Sequence, residues 1–329
     1  MLTLTNDMLI NITKQVAIYF GIPVLCAGLL GNILNIIVFL SLKTFRQNSC
    51  AFFLIIMSFL NIGQLLTSLV SRIFITGFNN NWTETSISFC KFRNYCLQVC
   101  ALTSSTCMCL ATIDQFLVTS LRSRWQQLFN IKRAYILCIV FFIIWLLHGV
   151  PTLIWFSPVI SRRTNDITCT IINLNYQQYF TYGYTLILTG MLPILITVVF
   201  GTLAYRNVRQ IRFRRVPIVR RELDKQLTSM VLIQVVHNFF VVVPYVTILI
   251  ILTSTTPTNY PSNYMQIVLA IAITGFIYYL YFASPFYIYI CVSKRFRQQL
   301  NHVLFGRYKK RPVEQIISIN QILPVFQEF

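Results

Sequence analysis

Residues Ala134–Phe156 read AYILCIVFFIIWLLHGVPTLIWF. No formal charge interrupts the stretch, and it exceeds the roughly 20 mostly apolar residues that a helix needs to cross a hydrocarbon layer. Nothing in that layer can hydrogen-bond a bare backbone, so such a run crosses as a helix whose amide groups pair among themselves. On either side, six more stretches of the same kind run approximately Val16 to Leu42, Ala51 to Ile75, Tyr95 to Thr119, Phe180 to Tyr205, Leu227 to Leu252 and Met265 to Val292. Arg72 and Asp114 are the formal charges inside the seven spans, and His148 and His237 the other readily titrating groups. Span three is diluted by Asn94, Gln98, Thr103, Ser104, Ser105, Thr106 and Thr112. A helix this polar is expected inside the bundle, screened from lipid by its neighbours.

Composition agrees. Of 329 residues, 56% are apolar and 11% charged, against about 45–50% and about 25% in a soluble domain. A water-soluble globule is excluded, and so is a disordered chain, because 15% aromatics give ample burial drive. The net charge of +19 fits either nucleic acid or a membrane surface, and its placement favours the membrane with no nucleic-acid partner. Loops assigned alternately put twenty-one of the 27 Lys and Arg on one face, which predicts a cytoplasmic C-terminus and an extracellular N-terminus. The N-x-[S/T] sequons at Asn11 and Asn81 both fall on the face read as extracellular, where glycosylation occurs. The expected organisation is an extracellular segment 1–15 without a cleavable signal, a membrane domain 16–292 and a cytoplasmic tail 293–329.

Eight of the ten cysteines lie in or beside spans, where a small polarizable side chain simply packs. Cys96, Cys100 and Cys107 share a helical face without His or carboxylate, so no metal site and no cofactor are expected. Cys90 and Cys169 fall outside, in an oxidising compartment. A bridge between them would tie the loop between spans four and five over the bundle mouth.

Seven spans with an outside N-terminus, a Cys at the head of span three and another in the following external loop resemble the rhodopsin-like G-protein-coupled receptors. The resemblance covers essentially the whole chain. Gly31-Asn32 in span one looks like the family's Gly-Asn pair, and Asn61 occupies the span-two place usually held by Asp. Trp145 matches the span-four tryptophan; Pro193, Pro244 and Pro285 match the prolines of spans five, six and seven. Asp114-Gln115-Phe116 stands at the Asp-Arg-Tyr position, and Ser284-Pro285-Phe286-Tyr287-Ile288 at the Asn-Pro-x-x-Tyr position. Beyond them, 293–300 is similar to the short amphipathic helix on the inner membrane surface, with Phe296 and Leu300 four residues apart among charges.

The resemblance implies a seven-transmembrane helix bundle that couples an extracellular ligand to a heterotrimeric G protein, with span six swinging its inner end outward about Pro244. Asn32, Asn61 and Ser284 are expected to share one internal polar network. The departures are specific. Gln115 lacks the charge and five-donor fork of the family's Arg, which leaves Asp114 either to find another partner, for which Arg122 or Arg124 in the next loop could serve, or to protonate. Asn61 replaces the acid that helps hold sodium in relatives, so sodium modulation is expected to be weak. The span-seven tyrosine position is Ile288, flanked by Tyr287 and Tyr289.

A ligand pocket is expected between spans three, five, six and seven. Asn94, Leu97 and Gln98 share a face of span three, with Tyr182, Tyr245, Tyr278 and Arg72 completing the candidate lining. Leu97 stands where amine receptors carry aspartate, which disfavours a monoamine. Span seven holds no lysine, which removes the Schiff base that retinal requires. The intramembrane cation Arg72, with Lys91, Arg93, Arg162 and Arg163 around the mouth, favours a peptide or small molecule with an acidic group. No catalytic set of an enzyme is visible. The rival readings are a non-coupling seven-helix binding or decoy protein and, less favoured, a transporter or channel, which would carry internal repeats or paired intramembrane ions.

Overall fold

The computed structural model describes residues 2–41, 43–46, 48–80, 82–120, 130–160, 167–210, 218–254 and 264–306. Asn81, Arg122, Arg124, Arg162, Arg163, residues 211–217 of the Arg-rich segment between spans five and six, and the tail beyond 306 lie outside the described residues. Six helices are long and apolar enough to cross a membrane singly: Met8–Ser41, Ser49–Phe78, Ile87–Thr119, Ile131–Trp155, Leu174–Arg209 and Lys225–Leu252. The seventh span is a pair, Leu269–Ala283 and Pro285–Val292, bent by 54°. Pro285 has no N–H to continue the ladder and its ring crowds the preceding turn, so the helix breaks there. The chain is an all-α bundle of membrane-spanning helices.

Several helices outrun the sequence windows. Span one begins at Met8 rather than Val16, and span three at Ile87 rather than Tyr95. Hydropathy falls where polar residues begin, but the backbone ladder continues into the polar flank. Asn11 is consequently an exposed helical residue, with the Thr13 hydroxyl of its sequon donating to Leu9 O at 2.9 Å.

Span three is the central post. In its most apolar 18-residue window 72% of the residues are buried, against 17–56% for the other five single-helix spans. Its hydroxyl-rich sequence explains the position, because the hydroxyls of Thr103, Thr106 and Thr112 donate to carbonyls four residues back and the helix then packs with few naked polar groups. Trp145 of span four docks on it, donating to Thr106 Oγ1 at 2.9 Å. Spans one, two and seven meet closely at Gly28, where a Cβ would fall 2.7 Å from Leu65 Cδ1 and 2.9 Å from Ala283 Cβ.

Two apolar clusters fill the bundle. One joins Phe39, Phe53, Met57, Phe286, Tyr289 and Phe296; the other joins Leu65, Leu69, Ile73, Val242, Phe276 and Phe282. An antiparallel ribbon of β1 (Phe156–Ile160) and β2 (Ile167–Ile171) follows span four, with Pro158 opposite Cys169. Cys169 is bonded to Cys90 at the head of span three, so the ribbon is held at that end of the bundle. At the other end the helix Lys294–Phe305 starts on Ser293, whose Oγ accepts from Phe296 N at 3.2 Å, and stops at Gly306 with φ of 62°.

Spans one, two and five each contain a π-helical stretch: Ala17–Gly21, Leu65–Leu69 and Tyr179–Met191. An i→i+5 ladder places more residues in each turn, so side chains drift from the directions a 3.6-residue period assigns.

Candidate functional site

At the disulfide end, Asn94 packs on the bridge and donates to Cys90 O at 2.9 Å and to Cys169 Sγ at 3.1 Å. Leu97, one turn on, is half-buried. Gln98 departs from the expected lining. It is fully buried and turned toward span four, donating to His148 Nδ1 at 2.9 Å while its carbonyl accepts from the Thr152 hydroxyl. Tyr176 lies 2.9 Å from that hydroxyl, and the other ring nitrogen of His148 meets Tyr179 OH. A buried amide needs partners for both of its ends, and span four supplies them at closer range than any pocket.

Tyr182 is the second departure. It is 46% exposed on the outer surface of the bundle, whereas Tyr184 is 4% exposed and packs on Phe180 at 4.7 Å between ring centroids. The π-helical stretch rotates this part of span five away from the 3.6-residue expectation. Tyr245 and Tyr278 do face each other, stacked at 4.7 Å and 18° between spans six and seven. Arg72 reaches across to span seven: Cζ lies 5.5 Å from the Phe276 ring centroid, and Nη2 is 3.5 Å from Ile271 O. Above it, Arg93 of span three pairs with Glu84 at 3.7 Å.

The middle of the bundle carries a polar chain through four spans. Asn32 donates to Gly28 O at 2.7 Å and to Phe282 O at 2.9 Å. Its own Oδ1 receives Asn61 Nδ2 at 3.4 Å, and Asn61 Oδ1 receives the Ser104 hydroxyl at 2.6 Å. The expected network of Asn32, Asn61 and Ser284 is corrected here, because Ser284 turns instead to His237 Nδ1 of span six, at 3.4 Å. The bend at Pro285 aims residue 284 toward that span. Pro193 lines a cavity of about 30 Å³ with Ser105, Thr189, Asn238 and Tyr281, whereas Pro244 faces outward.

At the end opposite the disulfide, Asp114 is fully buried and Oδ1 accepts from Ser49 Oγ at 2.6 Å. Gln115 Oε1 accepts from Thr228 Oγ1 at 2.8 Å, a neutral link between spans three and six. Phe116 packs on Phe200 at 5.5 Å. Of the two tyrosines flanking Ile288, Tyr287 is exposed and donates to Ala27 O at 3.0 Å, while Tyr289 is buried and donates to Gln234 Oε1 of span six. Gln226 Oε1, at the start of span six, accepts from Ser293 Oγ at 2.9 Å and Arg295 N at 3.0 Å.

Gln226, Thr228 and Gln234 were not singled out from sequence, and Ser104 only as one of the polar residues that place span three inside the bundle. A signal for them existed in their polarity within or beside apolar spans, where such residues turn inward by default. Among the described residues no group of three or more His, Cys, Asp or Glu is placed to hold a metal ion.

No curated protein gives a significant match to this sequence. A family model described as 7 transmembrane receptor (rhodopsin family) matches residues 31–287, a stretch that runs from Gly31 in span one to Tyr287 beyond the bend of span seven. With that match over most of the chain and a bundle of the corresponding architecture, the protein belongs to the rhodopsin family of seven-transmembrane receptors.

Proposed function

We propose that this receptor takes an extracellular peptide or small molecule at its disulfide end and passes the signal to a heterotrimeric G protein at the other, through outward movement of span six. In this reading the chain sits in the plasma membrane with residues 1–15 outside and 293–329 inside, and Lys294–Phe305 rests on membrane lipids. The ligand is neither a monoamine nor retinal, for want of a carboxylate near Leu97 and of a lysine in span seven.

The observation that carries the proposal is the Gln115–Thr228 bond of 2.8 Å. It joins the central post to the inner part of span six, where the opening motion is largest. Ligand and G protein then compete or cooperate with this bond, and a preference of both for the open packing couples their affinities reciprocally. A neutral bond contributes about 0.5–1.5 kcal/mol, so the resting latch is weak and the equilibrium easily biased.

The absence of a cation at position 115 favours the second reading, a binding or decoy protein that does not couple. One experiment separates them. The full chain, reconstituted in nanodiscs with purified heterotrimers of each class, is assayed for nucleotide exchange as wild type and as Gln115→Arg. The variant is expected to raise exchange several-fold over wild type at equal surface expression in cells. Exchange that neither protein accelerates with any heterotrimer establishes the decoy reading; acceleration by wild type that Gln115→Arg leaves unchanged removes the role assigned to this position.

A further inference from the structure

We infer that the space beside Arg72, between spans two and seven, receives the acid group of an organic anion with a flat apolar body, of the aryl carboxylate class. The inference rests on the receptor reading above and names the chemistry of its ligand. It also moves the ligand's anchor from the span three and five face, which Gln98 and Tyr182 vacate, to the neighbouring face of the same mouth.

The Arg72 guanidinium lies flat on span seven. A Cβ at Gly275 would stand 2.8 Å from Nη2 and 3.0 Å from Cζ, so the missing side chain is what lets the group lie there. Its hydrogen bond to Ile271 O, at 3.5 Å, is at the outer limit of such bonds. A guanidinium carries five N–H donors in a planar fork. Among the described residues it makes no ion pair, because Glu84 is committed to Arg93. Arg93 and the Tyr245 hydroxyl lie close enough to feel its charge. The Tyr279 hydroxyl, one turn beyond Gly275 in span seven, is occupied with Ser68 at 2.6 Å.

A cation held within a span costs free energy that an anion restores, and the fork matches a carboxylate through two parallel bonds. Arg72 is half-buried, so an entering anion reaches it without unfolding the bundle. Phe276, 1% exposed, lies beneath the guanidinium and seats it, and the half-buried Tyr245–Tyr278 stack supplies the flat apolar wall.

The test uses phenylacetate, with phenylethanol and phenethylamine as neutral and cationic counterparts, on the full chain in phosphatidylcholine nanodiscs. At about ten times its Kd, phenylacetate is expected to raise the unfolding midpoint by roughly 2 °C, and the two counterparts by far less. Arg72→Gln abolishes the shift, Arg72→Lys retains part of it, and Gly275→Ala, which displaces the guanidinium but keeps the charge, weakens it. An equal shift with phenylethanol, no shift with phenylacetate, or a full shift in Arg72→Gln overturns the proposal. If replacing half of the lipid by phosphatidylserine raises the midpoint through Arg72 and erases the phenylacetate effect, the acid group belongs to lipid and the soluble-ligand assignment falls. Because unfolding is read without any G protein, a receptor that fails in nucleotide exchange still passes or fails this test on its own.

Discussion

Asn61 shows how much one buried amide decides. It receives Ser104 from span three and donates to Asn32 of span one, while Asn32 itself holds the Phe282 carbonyl where span seven approaches its bend. All three side chains are essentially inaccessible, so removing the hub leaves buried groups unsatisfied at a cost of about 1–3 kcal/mol. Asn61→Ala is therefore expected to lower the unfolding midpoint by several degrees in detergent, with Ser104→Ala on the same background adding little; additive losses would show the two residues acting independently. The family resemblance put Asn32 and Asn61 in one network, and the two amides do meet at 3.4 Å, as polar residues of neighbouring spans do in lipid. The partner of Ser284 was not legible in sequence, since a serine hydroxyl accepts any donor within reach and the bend at Pro285 chooses which span that is.

Single elements act here through their ends. The Ser293 hydroxyl has two tasks, capping the helix Lys294–Phe305 and donating to Gln226 at the start of span six. In the proposed mechanism, outward movement of span six would break that contact together with the Arg295 N–H bond. Two neutral bonds at about 0.5–1.5 kcal/mol each make Gln226→Ala worth roughly a tenfold rise in the open population. Hydrogen–deuterium exchange along 294–305 is expected to quicken, and basal nucleotide exchange to rise with it; unchanged protection in that helix would mean that span six opens without it. Sequence marked this helix by the spacing of Phe296 and Leu300, and Phe296 is indeed buried, packed edge-on against Phe39 at 5.4 Å. Its tether to span six was invisible, because Gln226 lies at the polar margin where hydropathy carries no information. Span five illustrates the opposite failure: the helix was plain from its apolar length, yet its inward residue is Tyr184 rather than Tyr182, because π-helical turns abandon the period on which facing is judged.

Across the whole molecule the disulfide closes a 79-residue separation that includes nearly all of span three and the whole of span four. In water a loop of that length is worth at most about 4.5 kcal/mol of chain entropy, and membrane insertion of the spans already removes part of it. Cys169→Ser is thus expected to destabilise the fold by less than that ceiling and to speed proteolysis within 156–171, measured by limited digestion in nanodiscs, while leaving the opposite end protected. Loss of protection at both ends would make the bridge a determinant of the entire bundle. The number of spans, the central place of span three and the cysteines at the mouth could all be reached from the amino acids alone, since lipid forces every backbone group to pair within its own segment and leaves polarity as the one variable that sorts inside from outside. Tertiary packing decided what hydropathy cannot express: that Gln98 serves span four, that Gln115 meets Thr228, and that Arg72 lies on Gly275. Each of these depends on which neighbour stands a few ångströms away, and that distance is set by the bends, π turns and glycine contacts of helices remote in sequence.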